Sequence, residues 1–381
     1  MLLVKNGNVF TMENEICEKL DILLDDHGKI EKVDSCITGD YEIIDATGCN
    51  VYPGIVEAHC HLGLQEASTR EEGIDINETI DPITPHVRAI DGINIMDETV
   101  ALANSYGITT VCAAPGSANV LGGQVCIYKT VGNCIDDAVL IANAAMKSAF
   151  GENPKRCYKG SKIATRMGTA ALMRETLMKA QRYMQLKEKA EDITKMPPFD
   201  MKMEAMIPVL KREIPLKAHA HRADDILTSI RIAKEFNVRM TLDHCTEGHL
   251  IADKVKESGF DAIVGPSLTH KTKFELQNKT FETPAILHKA GVKFALTTDS
   301  PVVPQEYLPM CAGLAVKSGL PEMEALKAIT INAAEIIGVG DRVGSIKEGK
   351  DADLVICKGN ILFTDSEVQY TITNGKITYK R

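Results

Sequence analysis

Short apolar runs alternate along this chain with stretches of helical pattern, and this alternation constrains its fold more than any other feature. Between residues 107 and 299 the runs read GITTVCAAP, AVLIANAAM, PLKAHAH, VRMTLDH, AIVGPS and VKFALTTD. Uninterrupted apolar runs are typical of parallel strands that are covered on both faces. Strands that alternate with helices in this way predict an α/β fold built on a (β/α)8, TIM-like barrel.

The two ends of the chain have a different texture, with short β-rich segments separated by turn pairs. Asn6-Gly7 and His27-Gly28 lie between alternating apolar residues near the start, and Asn374-Gly375 lies in the last segment. Such pairs are typical of hairpins. Because strands at both ends of a chain often pair, we expect them to form one small domain.

These patterns predict the domain boundaries. We expect a barrel over residues 53–345 and a small β-sandwich domain made of residues 1–52 and 346–381. The charged stretch 160–205 predicts an extended helical crossover that covers the barrel or contributes to a dimer contact.

Composition limits the partners and the compartment. A net charge of −9 argues against a nucleic-acid partner, which would select a basic face. No apolar run approaches the roughly 20 residues of a membrane span, and Lys5 and Asn6 interrupt the first apolar residues before they reach signal-peptide length. Eleven cysteines without a CxxC pair indicate reduced thiols. We expect a cytoplasmic protein that acts on a small molecule, with a homo-oligomer as the base-rate expectation.

Metal-binding residue types stand where the predicted strands end. His59 and His61 are two apart on a strand, so both imidazoles face the same side and can meet one ion. By itself such a pair is weak evidence, because many are simply polar residues at a strand end. Later predicted strands end in His219 and His221, in His244, and in Asp299. Neutral imidazoles with a carboxylate favour zinc or a similar divalent ion.

Four passages of the chain resemble the amidohydrolase superfamily, in particular imidazolonepropionase and the prolidase-like amidohydrolases. They are PGIVEAHCH at 53–61, KAHAH at 217–221, TTDS at 297–300, and the tail formed by TINAA at 330–334 and GSIKEGKDADLV at 344–355. In such enzymes the tail returns the chain from the barrel to the small β domain. The resemblance extends over essentially the whole chain and is weakest between residues 160 and 205.

The resemblance implies a role for each strand-end residue. His59 and His61 would be metal ligands from the first strand, and His219 a ligand from the fifth. His244 would be a ligand when two metals are bound and a substrate-polarising group when there is one. Asp299 would be both a ligand and the general base. The implied cofactor is Zn2+, one or two ions, with Fe2+, Mn2+ or another divalent ion as alternatives.

The fourth strand leaves the metal count open. Binuclear relatives bridge their ions with a carboxylated lysine or a glutamate from this region. Lys147 lies between Ala145 and Ala149, so its side chain could enter the barrel and, once carboxylated, offer two cations a shared anion. Glu152 is the alternative bridge. In the structural alternative, Lys147 reaches solvent and Glu152 caps the next helix.

Weaker candidates surround this set. Gln124, Asn153 and His270 follow predicted strands and are candidate substrate contacts, although a tight loop or a solvated histidine explains the same positions. His221 often corresponds to an acidic residue in imidazolonepropionases, so we expect it to be second-shell or structural. Cys60 should face away from its two histidine neighbours, and we do not expect it to be a nucleophile.

Together these residues predict a metal-dependent hydrolase of a small-molecule C–N bond in a cyclic amide, an N-acyl amide or a dipeptide. Divalent ions would activate water, and Asp299 would accept its proton and pass it to the leaving nitrogen. Heterocycle deamination is the alternative reaction, because it uses almost the same ligands. A non-catalytic binding module is the alternative from a different class, and such a module would be expected to lose ligands that are present here.

Overall fold

The computed structural model describes residues 1–67 and 70–381. Within them the strands are β1 Leu2–Phe10, β2 Cys17–Leu24, β3 Ile30–Asp34, β4 Glu42–Asp45, β5 Asn50–Pro53, β6 Ile55–Cys60, β7 Ile108–Ala113, β8 Leu121–Lys129, β9 Val139–Ala149, β10 Leu216–Ala220, β11 Met240–His244, β12 Asp261–Val264, β13 Phe294–Leu296, β14 Leu354–Lys358, β15 Glu367–Thr373 and β16 Lys376–Lys380. The α-helices are α1 Glu98–Ser105, α2 Ile135–Ala138, α3 Glu152–Cys157, α4 Arg166–Lys189, α5 Met201–Leu210, α6 Ala223–Glu235, α7 Ala252–Ser258, α8 Thr283–Lys289, α9 Leu308–Lys317, α10 Glu322–Ala328 and α11 Ile331–Ile336.

Both ends of the chain build one sheet. Its strand order is β16-β15-β14-β5-β1-β2-β3, and β4 also pairs with β1. The inward-facing side chains come from both ends of the chain and include Val4, Ile22, Leu354 and Ile372, all of which lie in one buried apolar cluster. The ends therefore share one core, while the sandwich arrangement of this sheet and the exact domain boundaries stay predictions.

The remaining eight strands form a nearly closed barrel in the order β13-β12-β11-β10-β9-β8-β7-β6. The first and last strands adjoin, because the Thr297 hydroxyl donates to the His59 carbonyl over 2.5 Å and the Thr298 N–H donates to the Glu57 carboxylate over 3.0 Å. This mixed α/β barrel agrees with the predicted fold class.

The barrel departs from a uniform (β/α)8 arrangement at one strand. β8 is antiparallel to both of its neighbours, β7 and β9. The connection over residues 114–120 is too short for the crossover that a parallel neighbour requires, so the chain turns back at once. Gly122 and Gly123 lie at the start of this strand, where the sequence pattern is equally typical of a tight loop.

Helices lie between most other neighbouring strands of the barrel. Within the stretch predicted to be a long helical crossover, α4 buries Met173, Leu177 and Ala180, which share one side of the helix. α4 packs against both α5 and α6. Within residues 1–67 and 70–381, no helix combines the length and the apolar character that a membrane span needs.

A buried ion cluster joins the barrel to the terminal sheet. Lys129, at the end of β8, is 1% exposed, and its ammonium pairs with Asp353 and lies 3.2 Å from Asp351. Asp351 also receives Lys29 at 2.6 Å and Arg342 at 2.9 Å. Because a buried charge is costly without its partner, this cluster fixes where the two sheets meet.

We predict that Lys129→Met lowers the free energy of unfolding by about 3–5 kcal/mol, because it leaves the buried Asp353 carboxylate without its cation and removes one of the three cations around Asp351. The measurement is urea denaturation followed by circular dichroism. Lys179→Met is the matched control, since Lys179 is exposed and, within the part of the chain that the structure describes, pairs only with Glu175 on its own helix. It should change stability by at most about 0.5 kcal/mol. Equal effects of the two variants would contradict this role.

Candidate metal centre

The first donor cluster joins the first and last strands of the barrel. The Nε2 atom of His59 lies 3.4 Å from Asp299 Oδ1, and the Nε2 atom of His61 lies 3.3 Å from the same oxygen. One donor atom from each of the three residues lies within 4.8 Å of the others. This is the pairing of first-strand histidines with the last-strand carboxylate that the sequence predicts.

The second donor cluster joins β10 and β11. It contains His219, His221 and His244, whose donor atoms also lie within 4.8 Å of one another. The rings of His59 and His244 are 5.2 Å apart, so the two clusters adjoin. His221 lies inside the second cluster, whereas its sequence position predicts a residue that supports the ligands or has a structural role.

Lys147 lies on β9, with Ala145 and Ala149 at the alternating positions on either side of it. Its side chain points into the barrel. Its side chain is fully buried, and Nζ is 3.1 Å from His59 Nε2. A Cβ on Gly122 would lie 3.4 Å from Lys147 Cγ, so this glycine leaves room for the lysine stem. Burial lowers the pKa of Lys147 to about 8, against the opposing effect of Asp243 and Asp299. The solvent-exposed alternative for Lys147 is therefore wrong.

Burial keeps the imidazoles neutral. It lowers the pKa of His59, His219 and His244 well below the usual histidine value, and it lowers the pKa of His221 to about 4. Burial alone would raise the pKa of Asp299, but His244 and His61 lower it overall. The site thus presents neutral nitrogen lone pairs beside an ionised carboxylate, which is the protonation state that a metal requires.

Several of these donors have no hydrogen-bond partner among the described residues. Both ring nitrogens of His219 and the Oδ1 atom of Asp299 are buried and unpaired there. A buried polar atom without a partner costs free energy, so this cost must be offset in the working protein. Imidazole and carboxylate donors at these separations fit zinc or another divalent ion of similar preference.

Hydrogen bonds on the outer side of three rings aim them at the centre. His61 Nδ1 lies 2.7 Å from the Ala114 carbonyl oxygen, and His244 Nδ1 lies 2.8 Å from that of Gly265. His221 Nδ1 is 2.7 Å from the Thr246 hydroxyl. Because one nitrogen of each ring is occupied in this way, Nε2 faces the cluster.

Two of the candidate ligands have strained backbones. His244 has φ of 72° and Asp299 has φ of 52°, in the left-handed region that residues other than glycine rarely adopt. Such strain costs of order 1–3 kcal/mol per residue and tends to occur at functional sites. It turns these side chains inward at the points where their strands end.

Two buried glutamates belong to the site but were not singled out from the sequence. Glu57 accepts hydrogen bonds from the His59 N–H, from the Thr298 N–H and hydroxyl, and from Gln305, and burial raises its pKa. Its spacing two residues before His59 on one strand was the available signal. Glu275 Oε1 lies 3.8 Å from His219 Nε2 and 3.7 Å from His221 Nε2. It lies after β12 in a single 3-10 turn, Phe274–Leu276, and its sequence position gives no comparable signal.

The weaker candidates lie at different distances from this centre. Glu152 begins α3, and its N–H donates to Glu275 over 2.9 Å, so Glu275 connects it to the site. Asn153 is buried and donates to the Ser117 hydroxyl over 2.8 Å. Gln124 lies on β8, where its side chain donates to the Pro85 carbonyl over 3.4 Å. His270 is exposed, and among residues 1–67 and 70–381 no hydrogen bond or ion pair joins it to the two clusters.

Comparison with known sequences agrees with this geometry. A model of the amidohydrolase family matches residues 50–378. Amidohydrolase tasK of Hapsidospora irregularis is 27% identical, and the match covers 88% of this chain but 37% of that protein; the chain thus spans little more than a third of this relative. The dihydroorotase of Ruminiclostridium cellulolyticum is 25% identical, with 99% of this chain and 95% of the relative covered. The imidazolonepropionase of Porphyromonas gingivalis is 26% identical, with 98% and 92% covered.

Solved structures show the same likeness. The crystal structure of an amidohydrolase from Thermotoga maritima MSB8 is 42% identical, covers 100% of both chains and superposes with a TM-score of 0.97. A prolidase complexed with n-methylphosphonate-l-proline covers 100% of both chains with a TM-score of 0.63 at 19% identity, which is a likeness of fold alone. The resemblance read from the four sequence passages is confirmed.

We predict that the metal-free protein loses stability as the pH falls below about 6.5. The unfolded state binds protons on histidine below that pH, whereas the buried imidazoles of the folded state stay neutral until lower values. Each such histidine therefore removes about 1.4 kcal/mol of stability per pH unit. The measurement is urea denaturation of chelator-treated protein between pH 7 and pH 5.

His219→Asn should reduce this slope by about one histidine's share. The matched control is His27→Asn, an exchange at an exposed position near the second strand of the terminal sheet, which should leave the slope as in the parent protein. A slope that His219→Asn leaves unchanged would show that this imidazole does not stay neutral in the fold.

Proposed function

We propose, from the premise that the chain belongs to the amidohydrolase family, that this hydrolase of C–N bonds cleaves a cyclic amide, an N-acyl amide or a dipeptide amide of a small molecule. The observation that carries the proposal is the convergence of two buried donor clusters at the carboxyl ends of the barrel strands. That end of such a barrel is where catalytic residues lie.

Each cluster would hold one ion. His59, His61 and Asp299 would hold the first, and His219 and His244 the second. When bound, divalent ions act as Lewis acids that polarise a carbonyl and make water a stronger acid. Five candidate ligands that the sequence predicted are present together, which argues against a non-catalytic module.

Asp299 is the proposed general base. Its carboxylate is 13% exposed, and its Oδ1 lies 3.3 Å from His61 Nε2, so it belongs to the first donor cluster and remains within reach of solvent. As an ionised group it accepts a proton from the attacking water and then passes that proton to the leaving nitrogen. His244, fixed by the Gly265 carbonyl, orients the carbonyl group that is attacked.

Lys147 is the proposed bridge between the two clusters. A pKa of about 8 leaves a useful fraction of neutral amine near neutral pH, and only the neutral amine adds carbon dioxide. In that reaction the new N–C bond forms and one proton leaves, so a buried cation becomes an anion. This change of sign suits a place between two cations. Among the described residues, no hydrogen bond or ion pair brings Glu152 as close to a candidate ligand as Lys147 is to His59.

The relatives support hydrolysis of C–N bonds without selecting one substrate. Two of them are named dihydroorotase and imidazolonepropionase, and the prolidase structure is complexed with n-methylphosphonate-l-proline. Asn153 is the proposed substrate contact of this chain, because its Oδ1 is buried without a partner among the described residues. Nothing in the contacts of Gln124 or His270 supports the same role.

We predict that zinc-loaded protein hydrolyses at least one member of a panel of N-acyl amino acids, dipeptides, cyclic ureas and imidazolones. Asp299→Asn should lower turnover by about 10²–10⁴-fold with metal retained, because the proton acceptor is lost. Mass spectrometry of the products and elemental analysis are the measurements, and Asp341→Asn on an exposed loop is the control.

Two results would count against this proposal. Release of ammonia from a heterocycle, with no amide cleaved, would establish deamination instead. An Asp299→Asn variant that retains metal and turns over near the parent rate would remove Asp299 as the base.

We predict that Lys147→Met lowers the zinc content from two ions to one per chain, because the shared anion is lost. A short carboxylate such as acetate or propionate should partly restore the second ion by occupying the space of the missing carbamate. Elemental analysis after gel filtration is the measurement. Two tightly held ions in Lys147→Met without added carboxylate would show that no bridge from this lysine is needed.

A further inference from the structure

The ring of His59 separates two different environments. Its Nε2 atom faces the donor cluster, 3.1 Å from Lys147 Nζ and 3.4 Å from Asp299 Oδ1. Its Nδ1 atom faces away from the cluster, 3.3 Å from Oδ2 of Asp243. Both His59 and Asp243 are fully buried, so bulk solvent does not reach the space between them.

This outer partner differs from those of the other rings. His61 and His244 present Nδ1 to neutral backbone carbonyls, whereas His59 presents Nδ1 to a carboxylate. A charged acceptor makes a stronger hydrogen bond than a neutral one. It also makes the opposite ring nitrogen a better electron donor.

Asp243 is itself held in place on its other oxygen. Oδ1 accepts a hydrogen bond from the Thr241 hydroxyl over 2.9 Å and lies 3.3 Å from Lys217 Nζ. The Lys217 ammonium also donates to the Ala58 carbonyl over 3.1 Å, next to His59 in the chain. Oδ2 and His59 Nδ1 are both buried without a hydrogen-bond partner among the described residues, and Lys147 Nζ lies 3.8 Å from Oδ2. Oδ2 is therefore the oxygen available to the His59 ring.

We propose that Asp243, held by Lys217 and Thr241, is a positioning residue that makes His59 a metal ligand. The Asp243 carboxylate accepts the Nδ1–H of His59, which fixes the tautomer and leaves the Nε2 lone pair directed at the first donor cluster. This inference rests on the proposed metal centre. If Lys147 carries a carbamate, Lys217 is the lysine that remains cationic beside Asp243.

The test is a zinc titration of the full-length protein against a chromophoric chelator, with no substrate present. In a His219→Asn background, which disables the second cluster, Asp243→Asn should weaken zinc binding by about 10–100-fold. In a His59→Asn background the same exchange should change zinc binding by no more than about threefold, because the residue through which Asp243 acts is gone.

Thr241→Val removes one of the two groups that hold Oδ1 but leaves the charge of Asp243, so it should weaken zinc binding less than Asp243→Asn does. The matched control is Asp253→Asn, an exchange at an exposed carboxylate outside the network, and it should leave zinc affinity within about threefold. Asp243→Asn leaves Lys217 as an unpaired buried cation and can impair folding. The double variant Asp243→Asn/Lys217→Met removes both charges together and should show the same loss of affinity.

Equal losses in the His219→Asn and His59→Asn backgrounds would overturn the proposal, because a general structural defect does not depend on His59. Parent-like affinity of Asp243→Asn in the His219→Asn background would overturn it as well. Because the titration contains no substrate, its outcome is independent of whether the amide panel is hydrolysed. A failed hydrolysis test and a failed positioning test are therefore distinguishable.

Discussion

A cluster of buried, neutral imidazoles and ionised carboxylates is stable only if something offsets the cost of leaving their lone pairs without partners. In this protein Asp299 Oδ1 and both ring nitrogens of His219 are buried and unpaired among the described residues. Divalent cations satisfy such donors directly. The other residues of the site hold these donors close together in a buried place that bulk solvent does not reach.

The barrel meets this requirement through its backbone. Neighbouring strands end at one mouth, so residues far apart in sequence meet there. The left-handed conformations of His244 and Asp299 turn their side chains inward at the strand ends. Hydrogen bonds from the outer side then fix the rings, through carbonyls for His61 and His244. Rigid supports of this kind keep ligands in place before an ion arrives.

The sequence predicted the parts of this arrangement that depend on periodicity. The apolar runs became barrel strands, and the strand-end residues His59, His61, His219, His244 and Asp299 came together. β8 was missed because Gly122 and Gly123 weaken a strand pattern, and its reversed direction depends on the length of the preceding loop. Glu275 was missed because the 3-10 helix that carries it, Phe274–Leu276, is too short to produce a periodic pattern. The inclusion of His221 in the second cluster depends on ring orientation, which Thr246 sets from the turn after β11.

Anomalous X-ray diffraction at the zinc edge from zinc-soaked crystals would show whether two cations bind side by side at the barrel mouth. We expect two peaks about 3.5–4 Å apart, one bounded by His59, His61 and Asp299 and the other by His219 and His244, with Lys147 between them. Peaks confined to surface carboxylates, or an ordered mouth with no peak, would show that these donors do not hold a pair of ions.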